Sequence, residues 1–166
     1  MRIADVQLSF PSMLIALFIM SVFGRGVGKL LIALTMVGWV TYARTVRGET
    51  LSVKKMEYVE AARAIGSNSF HTVFSHILPN SLAPIIVQAT LRVGASIISA
   101  SSLSFLGIGV PLPAPEWGAM LSGGRAYIRD YSYMTLFPGL AIMLTVVSLN
   151  LVGDALRDAI DPKLKK

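Results

Sequence analysis

No cysteine occurs in this chain, which excludes disulfides and thiolate metal sites and leaves the redox compartment undetermined. Charge is nearly as scarce: Asp, Glu, Lys and Arg make up 14% of the 166 residues, against 54% hydrophobic. A soluble core of this length could not hide so many Leu, Ile, Val and Met side chains, so lipid is the expected solvent. Acidic residues are outnumbered, and the net charge of +6 raises a nucleic-acid reading. That reading fails, because the basic residues sit between apolar segments and not along one amphipathic face. No secretory leader is expected either: Met1-Arg2-Ile3-Ala4-Asp5 places an acid early, and no small-residue cleavage site follows the apolar run.

What the chain has is long apolar runs, and four of them are expected to cross a bilayer: 8–23, 30–43, 82–105 and 134–152. A fully apolar span needs roughly twenty residues. The second run is short by that count, having only fourteen residues between Lys29 and Arg44. It can still span if those two charges snorkel outwards, with Trp39 and Tyr42 near a headgroup layer. The fold class expected is therefore an all-α integral membrane protein of about four transmembrane helices.

The charges between the runs set an orientation. Arg44, Arg47, Lys54, Lys55 and Arg63 lie between the second and third runs, and Arg157, Lys163, Lys165 and Lys166 lie in the tail 153–166. The opposite side holds Arg25, Lys29, Arg125 and Arg129. Cationic loops stay in the cytoplasm, so the central loop 47–80, the tail and the N-terminus are expected inside. The outer loop 107–133 carries Pro111, Pro113 and Pro115 with Trp117, Tyr127, Tyr131 and Tyr133, rings that suit an interfacial rim.

Within the central loop, Leu51, Tyr58, Ala62 and Ile65 fall at offsets of 0, 7, 11 and 14, one helical face. Glu57, Glu60 and Ala64 occupy another, with Glu60 three residues from Arg63. Gly66 reads as a left-handed helix stop, and the Ser67-Asn68-Ser69 run behind it as a cap for the next helix. A second short helix would carry Phe70, Val73, Phe74 and Ile77 before Pro79 enforces the exit into the third span. Lys54 and Lys55 suit a first helical turn poorly, because the positive end of the dipole repels them. The helix can instead continue out of the second span, with both lysines facing lipid phosphates. The product is a helix–turn–helix elbow at the cytoplasmic surface. On periodicity alone it reads as an amphipathic connector lying on the membrane.

Other motifs amount to less. Gly24-Arg25-Gly26-Val27-Gly28-Lys29 mimics a phosphate loop, but Phe23 stands where a Walker glycine is needed and Leu30 where Ser or Thr is needed. It reads as a tight turn between spans. Arg92 lies inside the third run, where a charge costs roughly 2.5–3.5 kcal/mol, so it either faces a polar interior or snorkels. Ser96, Ser99, Ser101 and Ser102, with Gly94, Ala95 and Ala100, suit close helix packing as well as a substrate path. His71 and His76 are five apart, so they do not share a helix face as an HExxH pair would, and both read as surface residues. Asp154, Asp158 and Asp161 suggest a cation site, but Arg157 among them and Pro162 after them favour a charge-paired helix with a hard stop. No catalytic, cofactor or metal site is expected.

The run EYVEAARAIGSNSFHTVFSHILPN at 57–80 resembles the EAA loop of binding-protein-dependent ABC importer permeases, in the oligopeptide, dipeptide and nickel branch. Tyr42-Ala43-Arg44 with Val46-Arg47-Gly48-Glu49, LSFLGIG at 103–109, Glu116-Trp117-Gly118, and the pattern from Asn150 and Gly153-Asp154 to Asp161-Pro162 resemble the same family in the same order. The resemblance implies a partial type I importer transmembrane domain whose elbow contacts an ATPase through Glu60, Ala61, Ala62, Gly66, Leu78 and Pro79. It also implies cytoplasmic ATPase subunits, a second permease and a periplasmic or lipid-anchored solute-binding protein as partners, with no chemistry in this chain. Arg92 is the candidate translocation-path residue. Two departures stand out. Such permeases usually have six spans, and Met1 aligns after the second; family members often carry Glu where this chain has Ala100. The alternative is a permease-derived membrane scaffold without transport activity.

Overall fold

The computed structural model describes residues 1–160, and every regular element among them is helical. Helices α1 (Arg2–Leu8) and α2 (Ser12–Phe23) meet at a bend of 91°. Pro11 accounts for the break, since it has no N–H to continue the ladder and biases Phe10 away from helical geometry. The expected span 8–23 is thus not one rod: Leu8 closes α1, and α2 has 12 residues.

Helix α3 (Val27–Val53) contains the whole apolar run 30–43 and continues past it for a further ten residues. The short helices α4 (Glu57–Ala64) and α5 (Ser69–Thr72) follow, then a π-turn (Val73–Ile77) that leads without a break into α6 (Leu78–Phe105). Next come α7 (Trp117–Gly124), a 3-10 turn (Arg125–Tyr127) and α8 (Tyr133–Ile160). Among the described residues, Ser69–Phe105 and Tyr133–Ile160 are long and apolar enough to cross a membrane, and the bent α1–α2 pair makes a third if it counts as one span. Four were expected. Helix α3 falls outside the set although it is 27 residues long, because Lys29 and Arg44 flank its apolar stretch and Trp39 and Tyr42 dilute it.

The chain forms two compact units. The first comprises Met1–Val40 and Arg92–Asn150. Its core brings Ala16, Ile19 and Met20 of α2 against Leu30 and Ala33 of α3, Leu103 of α6 and Val110 of the following loop. Helix α1 is tied to α3 by one amide: Gln7 Nε2 donates to Met36 O (2.9 Å), and Gln7 Oε1 accepts from Trp39 Nε1–H (2.9 Å). Glu116 caps α7 by accepting from the Ala119 N–H at 2.7 Å. The close approach of α7 to α6 requires Gly118, since any Cβ there would collide with the Ser101 backbone carbonyl. On the loop expected outside, the rings of Tyr127, Tyr131 and Tyr133 contact edge to face in series.

The second unit comprises Thr41–Leu91 and the chain from Leu151. Its core is small: Val53, Val59 and Ile77. Gly153 of α8 lies against the Leu91 side chain of α6, whose end would have to shift to admit a Cβ. Asp154, Arg157 and Asp158 are exposed on the last turns of α8, so the tail begins as an extension of that helix. Asp161, Pro162, Lys163, Lys165 and Lys166 lie outside the described residues, and so does the expected stop.

Candidate functional site

The central loop folds as an elbow, but not with the expected continuous helix from Leu51. Helix α3 ends at Val53, and Lys54, Lys55 and Met56 form a turn before α4 starts at Glu57. The two lysines thereby avoid the positive end of α4, where Glu57 and Glu60 instead occupy the first turn and favour its dipole. Breaking the helix also resets the buried face. Leu51, Tyr58 and Ile65, expected on the apolar side, are exposed, Ile65 by 86%. Val59 and Ala62 are the buried residues of α4, with Val59 packed on Val53 and Ile77.

An eight-residue helix is marginal by itself, so its ends matter. At the C-terminus of α4 the Gly66 N–H donates to Arg63 O (3.0 Å) and the Ser67 N–H to Ala62 O (3.0 Å), the paired bonds of a Schellman stop. Gly66 supplies the left-handed residue with φ of +83°. Nothing lies within 4 Å of where its Cβ would be, so backbone geometry and not crowding demands glycine. Asn68 then caps α5, its side-chain oxygen accepting from the Phe70 N–H at 3.3 Å. The Thr72 hydroxyl, 1% exposed, reaches back to Asn68 O (3.1 Å) and Ser67 Oγ (3.3 Å), pinning the turn from inside.

Pro79 does not break the chain's helical path as expected. The π-turn absorbs it. The Leu78 N–H donates to Val73 O, one residue further back than in an α-helix. Asn80 Nδ2 donates to His76 O (2.7 Å) and Ser81 Oγ to Ile77 O (2.8 Å), so side chains serve carbonyls next to the proline, whose missing N–H disturbs the ladder.

The elbow therefore brings Glu60, Ala61, Ala62 and Gly66 together on α4 and its stop, while Leu78 and Pro79 stand at the start of α6. Glu60, Ala61, Gly66, Leu78 and Pro79 are exposed; Ala62 is buried. Arg92 is in α6, half-buried and not without a partner. Sequence reasoning missed Val59, whose signal was its spacing of six from Val53, a period that makes sense only across a turn. It also missed the meeting of His71 and His76. Their ring centroids lie 5.9 Å apart, because a π-turn places residues five apart on one side. Tyr58 of α4 adds a third ring, 6.3 Å from His76.

A family profile described as "Binding-protein-dependent transport system inner membrane component" matches residues 1–166, the full chain. The chain belongs to that family. The family is one of inner-membrane transport components and not of enzymes. The Glutathione transport system permease protein GsiD of Salmonella paratyphi A is 48% identical over 165 residues, covering 99% of this chain and 54% of that protein. The Dipeptide transport system permease protein DppC of Alkalihalophilus pseudofirmus is 48% identical over 164 residues, with the same coverage of 99% and 54%. The GsiD protein of Pectobacterium atrosepticum is 47% identical over 165 residues, 99% of this chain and 55% of that protein. The chain thus spans about half the length of the curated relatives it matches.

Proposed function

We propose that this chain supplies membrane spans of a permease in an ATP-driven importer of peptides or a related solute, such as a nickel chelate. Four spans are included in that reading, with α3 carrying the second between snorkelling Lys29 and Arg44. Its elbow seats in a cleft of a cytoplasmic ATPase, alongside a second permease and a solute-binding protein on the far side of the membrane. The observation that carries the reading is the build of the elbow. A short helix is stopped by a Schellman turn and anchored from below by Val59, which leaves Glu60 and Ala61 facing outwards on a rigid mount. Closure of the ATPase pair on nucleotide would move the elbow as a unit and switch access across the membrane. The names of the glutathione and dipeptide relatives support the solute class.

The test is co-purification of the ATPase with solute uptake, in a complex with a full-length permease background. Gly66→Val and Glu60→Lys should each release the ATPase or uncouple hydrolysis from uptake while the chain inserts normally. Losing one partner of a desolvated charge pair costs roughly 2–5 kcal/mol. Full retention and normal uptake in both variants would end the coupling reading. ATPase retention without uptake in the unaltered chain would favour the scaffold alternative.

Orientation follows from the cationic loops: both termini and the elbow inside, 107–133 outside. Because the chain has no native cysteine, single cysteines at Ser69 and Ser122 report sidedness directly. They should label from opposite faces; labelling from one face contradicts the arrangement. Arg92 is assigned to the solute path, and Arg92→Leu should keep or improve insertion yet impair uptake. Unchanged uptake would return Arg92 to a snorkelling role.

A further inference from the structure

The elbow carries a feature that contact with an ATPase does not use. His71 is exposed and His76 half-buried, and their rings meet at 89° with centroids 5.9 Å apart. A regular α-helix would turn residues five apart to different faces; the π-turn Val73–Ile77 brings these two to the same side. We infer that His71 and His76 form a two-imidazole site for a divalent transition metal ion such as Zn²⁺, chelated across the π-turn.

The geometry and chemistry agree on this. Imidazole nitrogens bind Zn²⁺ at about 2.0–2.1 Å, which sets two chelating rings at a centroid separation of roughly 5 Å. The observed separation is within about one ångström of that, a distance the exposed His71 side chain covers by small torsional changes. Ser75 Oγ lies 3.3 Å from His71 Nδ1. With Nδ1–H donating to that hydroxyl, the Nε2 lone pair is left for a metal, the orienting role that outer partners play at histidine sites. The Tyr58 ring of α4 also neighbours His76, at a centroid distance of 6.3 Å. Among the described residues no third His, Asp or Glu joins the pair, so water completes the coordination and the ion exchanges freely. A metal bound there would clamp the π-turn that feeds α6. This assignment does not depend on the ATPase contact: the ligands are His71 and His76, and the proposed coupling residues are Glu60, Ala61, Ala62, Gly66, Leu78 and Pro79.

The experiment is a Zn²⁺ titration of the full chain, purified in detergent without a histidine tag, against a chromogenic chelator. One saturable site is expected. His71→Ala and His76→Ala should each weaken it by about tenfold or more, and Ser75→Ala by less, since that hydroxyl orients a ligand without binding the metal. Because His71 is exposed, His71→Ala keeps the fold, which helical circular dichroism verifies. Zn²⁺ should also slow hydrogen exchange at the Leu78 amide in the unaltered chain and not in His71→Ala. Absence of saturable binding, or binding unchanged in both histidine variants, would overturn the site.

Discussion

The two units of this protein hold themselves together by different means. In the first, helices approach through small residues: Gly118 lets α7 sit on the Ser101 carbonyl, and Gly94 admits Asn150 and Val146 of α8 to about side-chain contact. In the second, the elbow has three core residues and relies on backbone ends: a Schellman stop, an asparagine cap, and hydroxyls serving stray carbonyls. Under the membrane arrangement proposed above, lipid explains the difference. Where the surroundings are as apolar as the side chains, burying another Leu adds little, and close packing decides which helices meet. At the aqueous surface, short helices have too few bonds to persist and their unsatisfied ends become the controlling term.

Substituting glycines and a cap tests that contrast. Gly118→Leu should have the largest effect, because Leu overlaps main-chain atoms that cannot rotate away. A loss of about 1–3 kcal/mol or more is expected from overpacking, read as a lower melting temperature in detergent. A tolerated Gly118→Leu would mean that α7 is not held by close packing. Asn68→Ala should cost about 1 kcal/mol, confined to the elbow and visible as faster hydrogen exchange at Phe70 and Thr72. Equal acceleration throughout the first unit would erase the distinction drawn between the two. The smallest effect has the opposite sign. Gly48 lies inside α3 with nothing near its Cβ, so Gly48→Ala should stabilise by about 0.5–1 kcal/mol through helix propensity alone. A destabilising result would show that this glycine meets a neighbour when assembled.

Much of the elbow was legible beforehand. Gly66 announced a left-handed stop, and the run 67–69 announced a cap, because both signals are chemical properties of single residues. The break after Val53 was half-legible: Lys54 and Lys55 argued against a helix start, but the face drawn from Leu51 to Ile65 assumed one continuous helix and, of its four residues, only Ala62 is buried. Val59 was invisible to that periodicity because a turn intervenes between it and Val53. Pro79 misled for a related reason. Proline removes a donor, yet a π-turn with Asn80 and Ser81 compensates, and no local rule tells a break from a compensated bulge.

By itself the sequence determined the solvent, the helical class, the family pattern and the residues of the elbow's stop, since composition, hydropathy and the φ demand of glycine are properties of the chain alone. Only the tertiary structure decided where Pro11 bends the first apolar run, which face of α4 is buried, and that His71 and His76 meet. Each of those depends on where a hydrogen-bond ladder breaks or shifts, and even a one-residue shift rotates every later side chain by about 100°. Such shifts depend on which groups far along the chain are at hand to pack and to bond.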